Sequence, residues 1–269
     1  MPPLDDRFLD ELQTTLNARK LNVERVNQTF NTSQGKGLMA HKANIDPSAL
    51  AGVMPDDEAA RSRHLQAYAA GVKHVLLEHS RSTADQWSFV DTAGRLLPVI
   101  MPSPYLLGVE AAAGHPPWTQ PFVDDLHFAY LIRLDRGLRV LTTNQTQRWG
   151  VSDDRISSAA RSLLFHRTRD LSFQPLEDSL PVHRLKGGDG HDAARCQVVA
   201  DAFYTRVDSD FRFALPSPNH FLCVFQSSST PSLQKACDSV YVSADIPLTS
   251  RLFRFETGTP TPIEESDHE

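Results

Sequence analysis

Between Phe122 and Phe165 the spacing of apolar residues changes period, and each change marks an element. Leu126, Phe128, Tyr130, Ile132 and Leu134 place an apolar side chain at every second position, the two-residue period of a strand with one buried face. His127, Ala129, Leu131 and Arg133 make up the other face. Asp135, Arg136 and Gly137 supply turn chemistry, and Leu138 to Leu141 resume the apolar pattern, so the pattern predicts a β-hairpin. Thr142 followed by Gln145 fits a capping box for a short helix closed by Gly150. Ser152 then caps a second helix with Asp153 and Asp154 in its first turn, and Ile156, Ala159, Ala160, Leu163 and Leu164 form its buried stripe.

The same reading extends along the chain. Leu4, Phe8, Leu9, Leu12 and Leu16 have helical spacing and predict a first amphipathic helix over 4–18. Val23 to Phe30 reads as a strand, and the polar stretch Asn31 to Gly37 as a turn. The longest predicted helix covers Asp56 to His79, with Leu65, Tyr68, Ala69, Val72, Val75 and Leu76 on one face and His64, His74 and His79 as ordinary polar-face histidines. Trp87 to Val90 and Leu96 to Met101 suggest another hairpin, with Pro98 restricting the second strand to an edge or a start. Residues 102–121 carry several prolines and predict irregular structure around a short helix at Leu106 to Ala113. Short strands broken at Pro175 and Pro181, a helix over 193–207, a hairpin over Phe211 to Phe225, a weak helix over Ser232 to Val240 and a strand over Arg251 to Phe255 complete the pattern.

Hairpins alternating with amphipathic helices predict an α/β (α+β) fold: a mixed, largely antiparallel sheet of β-hairpins with helices packed on it, in an arrangement that allows two lobes. The expected organisation is an N-terminal helix/strand lobe over 1–101, a Pro-rich connector over 102–121, a C-terminal α/β lobe over 122–255 and a disordered acidic tail over 256–269.

Composition narrows the classes of function. A length of 269 residues is enough to bury a substantial core, and a formal charge of −6 argues against a globally basic nucleic-acid binder while leaving a local basic patch open. Three widely spaced cysteines, Cys196, Cys223 and Cys237, match neither a disulfide framework nor a zinc pattern and read as reduced, buried thiols. The amino terminus lacks the pattern of a secretory signal, and no apolar run approaches the roughly 20 residues of a membrane span, so a cytoplasmic location is expected. Gly35-Lys36-Gly37 is followed by Leu38 where a phosphate loop needs Ser or Thr, and no cofactor is expected.

Three stretches carry a resemblance: LLPVIMP at Leu96 to Pro102, FVDDLHFAYLIRLDRGLRVLT at Phe122 to Thr142 with the Trp149-Gly150 pair and the following helix of paired alanines, and FRFALPSPNHFLCVF at Phe211 to Phe225. In these the chain resembles the YtpQ-type family of bacterial proteins of unknown function. The likeness covers about Leu4 to Phe255, with a departure at Leu163 to His166, where the family has Asn-Leu. It implies a mixed α/β, bacterial, intracellular protein and brings no activity and no site residues with it.

Two groups of residues suggest chemistry. From Arg133 to Arg169 there are eight arginines against three aspartates. If Arg133, Arg139, Arg148 and Arg167 converge, with Arg139 and Arg148 at the centre, their forked guanidiniums would hold a phosphate or carboxylate or grip an acidic protein partner; the plainer reading is a solvated surface. His183, Asp189, His191 and Asp192 offer imidazole and carboxylate ligands for a divalent metal, although GGDGHD is also what a turn and a helix cap require. There is no Gly-x-Ser-x-Gly elbow, and Cys223 lies in an apolar strand. These observations favour a non-catalytic binding or interaction protein with an arginine-rich surface. The alternative is a metal-assisted hydrolase acting on a phosphorylated or nucleic-acid substrate through the His183 group.

Overall fold

The computed structural model describes residues 4–34, 41–78, 86–135, 137–167, 172–177, 179–186, 209–256 and 259–263. The architecture is α+β with largely antiparallel sheets, as the alternating hairpin and helix patterns require. Two compact units share the chain, one of residues 1–96 with 101–156, the other of 97–100 with 157–269. Among the described residues no helix is long and apolar enough to cross a membrane.

In the first unit α1 (Asp6–Ala18) begins at Asp5, whose carboxylate accepts the Arg7 N–H at 3.1 Å, and buries Phe8, Leu9, Leu12 and Leu16. The segment read as one strand over 23–30 is instead two, β1 (Asn22–Val26) and β2 (Thr29–Gln34), joined by a tight turn. Asn27 makes that turn with φ of 57°, a left-handed conformation that Asn tolerates, and no Gly or Pro announces it. With β3 (His41–Ile45) they form a three-stranded antiparallel sheet. Its inward positions Phe30 and Ile45 join the α1 leucines in the core.

Three further helices complete this core: α2 (Ser48–Ala51), α3 (Glu58–Glu78) and, packed along α3, α5 (Ser103–Ala113). Asp57 accepts the Ala60 N–H at 2.7 Å and so starts α3 two residues after the expected Asp56. His74 is not the polar-face residue its spacing suggests. Its Nε2 donates to the Leu138 carbonyl at 3.0 Å, and its Nδ1 accepts the Tyr105 hydroxyl at 2.9 Å. Burial lowers the His74 pKa, which keeps the ring neutral and fits one donor and one acceptor.

The segment 87–101 is not a hairpin. Ser88 and Asp91 form a complete capping box, and α4 (Phe89–Ala93) takes the place of the first strand. The second strand exists as β4 (Leu96–Pro102), at the edge of a sheet ordered β4, β6, β5, where Pro98 is tolerated. Strands β5 (Thr119–Val123) and β6 (Leu126–Arg133) pair antiparallel, and β7 (Leu138–Val140) returns against the far end of β6. Because β6 is central, Ala129 and Leu131 are buried as well as Leu126, Phe128, Tyr130 and Ile132, and the expected polar face is confined to its ends. Helix α6 (Thr143–Trp149) closes at Gly150 as expected, with φ of 61°, but the Thr142 side chain makes no capping hydrogen bond. Helix α7 (Asp153–Arg167) buries Ile156, Ala160 and Leu164.

The second unit is a six-stranded antiparallel sheet of β8 (Ser172–Pro175), β9 (His183–Lys186), β10 (Arg212–Ser217), β11 (His220–Val224), β12 (Leu252–Glu256) and β13 (Thr259–Pro262), with α8 (Thr230–Ser243). One face carries Ala214, Leu222, Val224 and Leu252 against Leu233 and Cys237 of α8. The opposite face carries Phe213, Phe221, Phe253 and Phe255, with ring centroids 4.8 to 5.4 Å apart from Phe213. Strand β13 corrects the expected tail over 256–269: Thr259–Pro262 pairs with β12. Ile263 donates its N–H to the Leu252 carbonyl at 2.9 Å, so the alternation turns residues 260 and 262 outward, and these are the two prolines, which have no N–H to leave unpaired.

Candidate functional site

The arginines do not assemble as their sequence density suggests. Ile132 pairs with Arg139 and Arg133 with Leu138, and cross-strand partners share a face, so Arg133 and Arg139 lie on opposite faces of the β6–β7 pair. Arg139 is 4% exposed, while Arg133 is exposed. Arg148 is exposed in the last turn of α6, where a cation complements the helix dipole. Arg167 is the last residue of α7. Arg136 and Arg169 fall outside the described residues.

Of the metal group, Asp189, His191 and Asp192 also fall outside the described residues, as do Lys36, His79, Cys196 and the helix expected over 193–207. His183 is on β9, with Nδ1 at 3.1 Å from the Pro181 carbonyl and its ring edge-on to Phe225. Among the described residues no group of three or more His, Cys, Asp or Glu side chains could hold a metal ion. Burial pushes the Cys223 thiol upward and the Cys237 thiol up to about 12, which makes both unreactive.

What the first unit does assemble is an arginine–aromatic cluster built from α4, α6 and α7. The capping box fixes the start of α4, with the Ser88 N–H donating to Asp91 at 3.0 Å, and Phe89 comes next as the first helical residue, 9% exposed. Its ring meets Trp149 edge-on at 5.6 Å, and the Trp149 indole N–H donates to the Trp87 carbonyl at 2.9 Å. The Arg155 guanidinium stacks over Phe89 at 5.2 Å and that of Arg95 over Trp87 at 5.0 Å. A ring beneath a guanidinium attracts and restrains it while N–H groups remain to meet an oxyanion. One of those groups on Arg95 already meets Asp135 at 3.3 Å, a pair whose carboxylate is 96% exposed and therefore easily exchanged.

Sequence density pointed to Arg148 and Arg139, whereas the cluster uses Arg95, which lies outside the dense stretch, and Arg155, which lies within it. The signal was Trp87-Ser88-Phe89, an aromatic pair around a cap residue, but nothing local ties it to Trp149, 62 residues away. No protein-family model, no curated protein and no solved structure matches this chain.

Proposed function

We propose that the protein is a binding or interaction protein and that the Arg95–Trp87 and Arg155–Phe89 stacks form its contact surface for an anionic ligand or an acidic protein partner. The observation that carries this reading is that two guanidiniums rest over aromatic rings, Trp87 and Phe89, that are both tied to Trp149, the first through its carbonyl and the second ring to ring. An exposed salt bridge holds a long side chain loosely, but a ring beneath the guanidinium reduces the rotamer freedom lost on binding. The exposed Arg148, on the same short helix as Trp149, adds a further positive charge to the surface.

Thermal unfolding in the presence of phosphorylated metabolites, short oligonucleotides and polyglutamate, at low and high salt, tests the reading. A specific upward shift, lost in the Arg95→Glu, Arg155→Glu double variant, is expected. Equal shifts in the wild type and the double variant across the panel would refute it.

A further inference from the structure

Two serine–histidine hydrogen bonds occur among the described residues, and they differ in kind. Ser217 and His220 face each other across the β10–β11 turn, 2.7 Å from Oγ to Nδ1, and the Ser217 Oγ also accepts the Asn219 N–H. Ser217 is 5% exposed, so this pair serves the turn. Ser103 and His127 are 24 residues apart and come from different elements, the first residue of α5 and the second residue of β6. The Ser103 Oγ lies 3.0 Å from His127 Nε2, both residues are half-buried, and both are therefore within reach of a small ligand.

We propose that Ser103 is a nucleophile toward electrophilic acyl or phosphoryl centres, with His127 as its general base. This is independent of the binding surface proposed above. The distance is that of a nucleophile hydrogen-bonded to its base. Both partners are held by backbone rather than by side chains: the Ser103 N–H donates to the Asp125 carbonyl at 2.9 Å, and His127 sits in register opposite Pro121. The Asp125 carbonyl is also 3.0 Å from Oγ, so the single hydroxyl proton has two acceptors. When it turns to Nε2, Asp125 keeps the amide and the geometry of Ser103 is unchanged. Pro104 is the next residue and has no N–H, so the site lacks the amide that stabilises an oxyanion in a nucleophile elbow. Strongly electrophilic centres, which depend least on such stabilisation, are accordingly its substrates.

With a fluorophosphonate the step is balanced: Oγ attacks phosphorus, the O–P bond forms as the P–F bond breaks, the hydroxyl proton passes to Nε2 and fluoride leaves. The test is to incubate the full chain with a fluorophosphonate, digest it and map the adduct. Ser103→Ala, His127→Gln and, as a control, Ser217→Ala are run alongside, and urea midpoints show that each variant is folded. The expected result is one adduct, on Ser103. Folded His127→Gln should react about 100-fold more slowly. Absence of a Ser103 adduct in the wild type, or wild-type reactivity in folded His127→Gln, would overturn the proposal.

Discussion

Gly71 of α3 and Gly108 of α5 are reciprocal: a β-carbon on Gly71 would fall 2.1 Å from the Tyr105 carbonyl oxygen, and one on Gly108 would fall 2.1 Å from that of Tyr68. Each helix thus places the sequence Tyr-x-x-Gly at the crossing, with Tyr68 to Gly71 facing Tyr105 to Gly108. Such an approach is open only to glycine, because the atoms met are backbone and cannot turn aside. The two tyrosines differ in the residue one turn beyond each glycine. Three residues after Gly71 comes His74, which receives the Tyr105 hydroxyl. Three residues after Gly108 comes Ala111, whose side chain has no acceptor, and the buried Tyr68 hydroxyl has no hydrogen-bond partner among the described residues.

Gly71→Ala and Gly108→Ala should each destabilise the protein by at least about 2 kcal/mol, because forcing the helices apart outweighs the roughly 1 kcal/mol that alanine gains in an exposed helix. Urea denaturation measures both. Gly94→Ala is the control, since an added β-carbon there meets nothing within 4 Å, and it should change stability little.

The tyrosine pair gives opposite outcomes for one chemical change. Tyr105→Phe leaves the buried His74 Nδ1 without its donor and should cost about 1–3 kcal/mol. Tyr68→Phe removes a buried hydroxyl that finds no partner among the described residues and should be neutral or mildly stabilising. Equal losses in urea unfolding would contradict the assignment.

Stability should depend on pH through His74. Burial lowers its pKa in the folded state, so below about pH 6.5, the ordinary value, the unfolded chain binds a proton that the native ring refuses. Stability is therefore full above that pH and falls as acidity increases toward the lowered folded value. Comparing unfolding midpoints of the wild type and His74→Leu between neutral and mildly acidic pH should show a flatter profile in the variant.

Glu11 also weakens the fold in acid, but by the opposite route. A hydrogen bond from Arg61 at 2.7 Å is the main cause of its lowered pKa, with Arg7 adding a second at 2.9 Å. Its carboxylate stabilises the fold above the ordinary glutamate range and loses that effect as pH falls through the lowered value. Glu11→Gln should cost less than about 1 kcal/mol near neutral pH, because the group is partly exposed, and the difference should shrink in acid and in high salt.

Ser88→Ala removes one half of the capping box and should cost about 1 kcal/mol. Since α4 sets Phe89 against Trp149, the same change should alter the tryptophan emission of the folded protein.

Local periodicity determined the elements whose stability is local. The 126–134 and 138–141 strands were legible because an apolar residue at every second position is a local property of a strand, although central β6 buries the intervening Ala129 and Leu131 too. Helices α1 and α7 were legible because 3.6-residue spacing places their apolar residues on one stripe. The α+β class came from their succession. Tertiary structure alone decided where an element depends on distant partners or on a cap that competes with a weak pattern. Asn27 divides an apparent strand, the Ser88 box turns an apparent strand into a helix, and outward-facing prolines let an apparent tail become β13. Register alone separates Arg133 from Arg139, and long-range packing alone brings Trp149 to Trp87 and His127 to Ser103. The sequence states which side chains are present; which of them meet is decided by contacts between residues tens of positions apart, and such contacts leave no period to read.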